Sequence, residues 1–309
     1  MTWFLVALSA YLFLAIAALA DKLVVTDYLS SPRIYMFLAS IFGVVIAVLA
    51  PFMLHCPGWI LLVFNVASGA FFSAALFFFY TALVRGEASR IVAGTDGLVP
   101  VVTLILAVLF LRERLSFTQL IAFLLLVVGT MIMAHAETHK HSLLHRLAQA
   151  WKCTGNPTVW MLLAAFCFGT SFFLAKIVYE TQPFISGLIW IRVGSAAVVL
   201  PMLMLPAFRK ELRNNFSKGN KAKTNTKMVL LSQGTGAVGV LLQNYAIALG
   251  SVVLTTALQG LKYVFLFFFI GMVGKTYKHV REQVHGKTMR QKLAAVILIV
   301  CGLVLLVLG

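Results

Sequence analysis

Three ionisable side chains stand deep inside apolar segments of this 309-residue sequence: Asp96, Arg192 and Lys262. A charge at the centre of a bilayer costs at least about 2.5–3.5 kcal/mol, so each must face the protein interior or a wet cavity. Uncharged polar residues in the same kind of segment accompany them, namely Asn65, Ser73, Thr95, Gln233, Gln243, Asn244 and Gln259, the last one helical turn before Lys262. Trp190 lies two residues from Arg192. Two cations against one acid leave one positive charge uncompensated. The chemistry this suggests is capture of a carboxylate or phosphate by Lys262 and Arg192, with Gln259, Asn65, Gln233, Asn244 and Trp190 lining the site. Asp96 then pairs with a cation when the site is empty, or takes a proton. Catalysis is not indicated, because the apolar segments hold no nucleophile elbow, carboxylate pair or metal-ligand spacing. His135, His139, His141 and His145 share one loop but lack a Cys or a further carboxylate to complete a metal site.

The elements that must position these residues are helices. With 61% hydrophobic and 11% charged residues the chain is too apolar for a soluble domain of this length. Ten apolar segments are predicted, at 3–20, 34–54, 59–84, 91–111, 117–134, 157–178, 184–206, 228–249, 251–273 and 293–308. Crossing a bilayer core takes about 20 such residues. The first is expected to be a retained helix, since it lacks the basic start of a signal peptide. The formal charge of +16 would suggest nucleic acid, but 20 of the 25 Lys and Arg residues fall in alternate loops, at 21–33, 85–90, 135–156, 207–227 and 274–292. That is the signature of membrane topology: it puts those loops in the cytoplasm and both termini outside. Anionic lipid headgroups, not nucleic acid, are the expected partners of the basic loops. Loops 207–227 and 274–292 are expected to be mobile, and 135–156 to form a short interfacial helix. Cys56, Cys153, Cys167 and Cys301 are scattered and imply no disulfide.

The two halves overlay. Lys22 and Pro32 match Lys176 and Pro183; Tyr80, Gly86 and Ala93 match Tyr245, Gly250 and Ala257; Gly129 matches Gly302. An odd number of spans per half inverts the second copy, which places a binding site near the midplane where the copies meet. Pro100, with Gly94 near Asp96 and Gly236 in the eighth segment, are the expected conformational positions. Val264 stands where Pro100 would repeat.

The ordered set Tyr80-x-Ala82-Leu83, Gly86-x-Ala88-Ser89, Pro100-Val101, Leu111-x-Glu113-x-Leu115, Gln119-Leu120-Ile121 and Gly129 resembles the EamA-like branch of the drug/metabolite transporter superfamily. The resemblance is clearest over the first half. It implies an all-α membrane protein of ten transmembrane helices arranged as two inverted five-helix repeats, here 1–135 and 157–309 joined by a basic linker at 136–156. It also implies a plasma-membrane carrier of small polar metabolites, often outward, with no bound cofactor and, against the charge count, cytoplasmic termini. A nucleotide-sugar or lipid-linked substrate is the alternative within carriers. A non-transporting receptor or scaffold is the alternative outside them.

Overall fold

The computed structural model describes residues 2–28, 31–85, 88–136, 156–217, 222–273 and 286–308, and among these there is no strand. An apolar helix occupies each predicted segment: α1 (Thr2–Tyr28), α2 (Pro32–Met53), α3 (Trp59–Arg85), α4 (Ala88–Leu106, extended by a π-helical turn Ala107–Leu111), α5 (Phe117–Ala136), α6 (Pro157–Thr181) and α7 (Phe184–Met204). After a short helix α8 (Pro206–Ser217) come α9 (Ala222–Leu249), α10 and α11 (Gly286–Leu308). α10 is interrupted, running as Val252–Ala257, a 3-10 turn Leu258–Gly260 and Leu261–Val273.

Local sequence sets the helix starts. Pro32 and Pro157 occupy first-turn positions, where a missing N–H leaves no helical bond unmade. Asn156 accepts from the Thr158 amide and Ser251 from the Leu254 amide. α5 opens with a reciprocal cap: the Gln119 amide donates to Ser116 Oγ while the Ser116 amide donates to Gln119 Oε1. α4 ends at Arg112, whose φ of 51° is left-handed and turns the chain out of the helix.

The segment expected to be a mobile basic loop is folded over part of its length. α8 buries Phe208 to 3% exposure, edge-on to Phe37, beside Ile34, Leu76 and Val199. Arg209, Lys210 and Arg213 stay at the surface, so α8 is an amphipathic helix anchored by Phe208 and Leu212, one turn apart. The interfacial helix expected at 135–156 and most of loop 274–292 lie outside the described residues, as does Cys153. The other cysteines are free.

The inverted repeat is visible in one contact. A Cβ on Gly129 of α5 would lie 2.7 Å from Ile299 and 3.1 Å from the Ala295 carbonyl of α11; one on Gly302 of α11 would lie 3.0 Å from Leu126 and from the Ala122 carbonyl of α5. Residue numbers fall along α11 as they rise along α5, so the helices are antiparallel. Exchanging Gly129 for its repeat mate Gly302 maps the contact onto itself, as a twofold axis lying across the helices requires. One other extensive packing obeys the same exchange, with α1 along α9 in one half and α6 along α3 in the other; α3 packs closely on α7, whereas its counterparts α9 and α2 hardly touch.

Candidate functional site

α4 and α10 cross at their weakest turns. Pro100 has no N–H to donate to the Asp96 carbonyl one turn earlier, and α10 tightens into its 3-10 turn at Leu258–Gly260. Such irregularity at membrane depth is tolerated where neighbouring protein surrounds it. Pro100 is buried, and its carbonyl accepts from Thr103 Oγ1 at 2.9 Å. The Thr103 and Thr256 hydroxyls then join the two helices at 2.8 Å. A Cβ on Gly94 would strike the Met161 sulfur of α6.

At this crossing Lys262 Nζ forms an ion pair with Asp96 Oδ2, their side chains 15% and 14% exposed. The Tyr263 hydroxyl donates to the same carboxylate oxygen at 2.8 Å. Gln259 is 6% exposed, and its Oε1 is buried without a hydrogen-bond partner. Tyr11 of α1 closes the cluster by donating to the Thr255 carbonyl.

Arg192 sits elsewhere. It is 8% exposed on α7, its guanidinium 4.5 Å from the centre of the Phe72 ring and its stem against Gly43 of α2. Among the described residues no carboxylate is within ion-pair distance of it. The structure therefore separates a compensated pair, Asp96 with Lys262, from a buried cation that lies against the Phe72 ring with no described carboxylate partner.

The remaining expected residues have partners of their own. Asn65 Nδ2 donates to the Leu61 carbonyl at 2.7 Å and its Oδ1 accepts from Gln182 Nε2 at 3.2 Å. Asn244 of α9 is held in a similar way, donating to the Val240 carbonyl at 2.8 Å and accepting from the Tyr179 hydroxyl at 2.9 Å. Trp190 Nε1 donates to the His55 carbonyl at 3.0 Å, alongside Ser186 Oγ, and so ties the α2–α3 connection to α7. Gly236 is in ordinary contact with Ala17. The Gln233 side chain lies outside the described residues. Tyr263, Tyr179 and Gln182 were not among the expected site residues. A tyrosine adjoining a midspan lysine was the available signal for the first.

A cleft of about 550 Å³ opens between the end of α2, the start of α7 and α9. Phe52, Met53, His55, Phe184, Leu241 and Tyr245 line it, and none of the expected polar site residues does. Among the described residues no cluster of His, Cys, Asp and Glu is arranged to hold a metal.

Ten apolar helices in two matched halves, with Asp96, Lys262 and Arg192 held between them, define an integral, multi-pass membrane protein. The family model for EamA-like transporters matches residues 1–134 and again 157–279, and the chain belongs to that family. It is thus a membrane transporter of the drug/metabolite transporter superfamily. No curated protein matches the chain. A solved crystal structure 16% identical in sequence covers 99% of this chain and 96% of its own, with a TM-score of 0.68. At that identity the likeness shows the fold alone.

Proposed function

We propose that the protein is a secondary carrier in the plasma membrane for a small anion or zwitterion, such as an amino acid, moved outward by alternating access and without catalysis. The observation that carries this reading is Arg192, a cation 8% exposed with no described carboxylate partner. A substrate carboxylate or phosphate supplies the missing charge, and the planar guanidinium suits two parallel hydrogen bonds to either group. Asp96 and Lys262, already neutral as a pair, then act as the inner counter-charges. They exchange partners with a zwitterion at no change in net charge. Nucleotide-sugars remain the second reading only through the shared phosphate chemistry. Anionic lipid headgroups meet Arg209, Lys210 and Arg213 on α8.

A thermal-shift screen of the purified protein against amino acids, small carboxylates and inorganic phosphate tests the anion site. The expected result is stabilisation by at least one anionic or zwitterionic class, lost in Arg192→Gln and weakened in Arg192→Lys. Equal stabilisation of wild type and Arg192→Gln by the same compound would remove Arg192 from the site.

A further inference from the structure

α8 leaves the end of a membrane span at a sharp corner. α7 tightens into a 3-10 turn over Leu200–Met204, Leu205 is extended, and Pro206 opens α8 at once. The corner is fixed by two bonds: the Leu205 amide donates to the Met202 carbonyl at 3.1 Å, and Arg209 reaches back through Nη2 to the Met204 carbonyl at 3.4 Å. The side chains there are apolar and open, Met204 80% and Leu205 57% exposed. A guanidinium is thus held beside two apolar side chains that the described residues do not cover.

The other cations of α8 gather on the same side. At about 100° of rotation per residue, Arg209, Arg213 and Lys210 fall within about 100° of one another, with Phe208 and Leu212 on one flank of that arc and Glu211 on the other. Glu211 is the one acid of α8, and it is half-buried where the three cations are exposed. Arg33, exposed beside Ile34 at the start of α2, adds a cation at the same membrane face. Positive charge next to bare apolar surface fits an amphiphile. A soluble acidic partner would use the cations and leave Met204 and Leu205 in water, whereas a phospholipid uses both, its phosphate on the guanidinium and its acyl chain along the end of α7.

The inner face of α8 reaches three spans. The Phe208 and Phe37 ring centroids are 5.4 Å apart, in one cluster with Ile34 of α2, Leu76 of α3 and Val199 of α7. We propose that α8 is a lipid-operated clasp: an anionic phospholipid, bound by Arg209, Lys210 and Arg213 with its acyl chain against Met204 and Leu205, holds α8 down and through Phe208 fastens α7 to α2. The clasp deepens the headgroup contact proposed above and rests on it, and it does not depend on what is transported.

The test is melting of the purified full-length protein titrated with phosphatidylglycerol, with phosphatidylcholine of the same chains, and with inorganic phosphate. Phosphatidylglycerol is expected to raise the melting temperature more than phosphatidylcholine does. Arg209→Gln with Lys210→Gln and Arg213→Gln, all at exposed positions, should melt like wild type without lipid. That triple variant should need about tenfold more phosphatidylglycerol for the same rise, since each base near an anionic lipid contributes separately. Met204→Ser with Leu205→Ser should also weaken the response, because the acyl chain loses its surface. Phe208→Ala separates contact from clasp: phosphatidylglycerol should stay bound in native mass spectrometry while its increment in melting temperature disappears. Phe37→Leu, a milder loss of the same ring contact, serves if Phe208→Ala does not fold. A wild-type response to phosphatidylglycerol in the triple variant overturns the headgroup contact and the clasp together. A rise with inorganic phosphate that the triple variant loses, or a wild-type titration by Met204→Ser with Leu205→Ser, makes α8 a site for soluble anions and overturns the lipid. A full phosphatidylglycerol increment in the Phe208 or Phe37 variant overturns the clasp and leaves the headgroup contact standing.

Discussion

Lys262→Met is expected to destabilise the protein strongly and to abolish transport, because it strands Asp96 at membrane depth with the Tyr263 hydroxyl as its one remaining partner among the described residues. Removing one partner of a buried ion pair costs about 3–5 kcal/mol. With side chains 14–15% exposed, the lower half of that range is the appropriate expectation. The double variant Asp96→Asn with Lys262→Met removes both charges and should recover most of the lost melting temperature, since the penalty lies in the uncompensated charge and not in the pair. Transport should stay absent in the double variant. Recovery of transport along with stability would mean that the pair only ties α4 to α10. An unchanged melting temperature in Lys262→Met would mean that Asp96 has access to water or to another cation.

Gly69→Val should be the most damaging single change outside the charged residues. Its added methyls would occupy the space of the Ile191 carbonyl and the Ser195 amide. These are backbone atoms, which cannot rotate away as a side chain end could. Overpacking typically costs about 1–3 kcal/mol and more where backbone must move. The Ser73–Ser195 hydroxyl contact would also part. The expected outcome is a large loss of folded protein in membranes, measured by fluorescence-detected size exclusion of a fusion. Wild-type yield and melting behaviour in Gly69→Val would show that the α3–α7 approach is looser than this contact.

The helices were legible because membrane-spanning segments announce themselves by length and apolarity. All ten begin or end close to the predicted limits. The repeat was legible from Pro32 with Pro183, Tyr80 with Tyr245 and Gly129 with Gly302, and the contact of Gly129 with α11 against that of Gly302 with α5 bears the last match out. What could not be read was which polar groups satisfy one another. Asp96 had two candidate cations, Arg192 and Lys262, and nothing in their spacing decides between them; the crossing of α4 over α10 does. Asn65 and Asn244 looked like free polar residues until Gln182 and Tyr179, from other helices, supplied their partners. α8 was missed because Phe208 and Leu212 make too short an apolar face to outweigh the surrounding lysines and arginines. The 3-10 turn of α10 has no proline to mark it, Val264 standing where the first repeat has Pro100.

A buried guanidinium on α7 with no carboxylate partner among the described residues is proposed to receive the anionic group of a transported substrate. Reconstitution into liposomes, preloaded with an unlabelled amino-acid mixture and exposed to the same mixture in radiolabelled form, tests it most directly. Counterflow by the wild-type protein is expected to fall at least tenfold in Arg192→Gln, with the variant folded and its melting temperature at or above that of wild type, since the buried charge is gone. Wild-type counterflow in Arg192→Gln would contradict it.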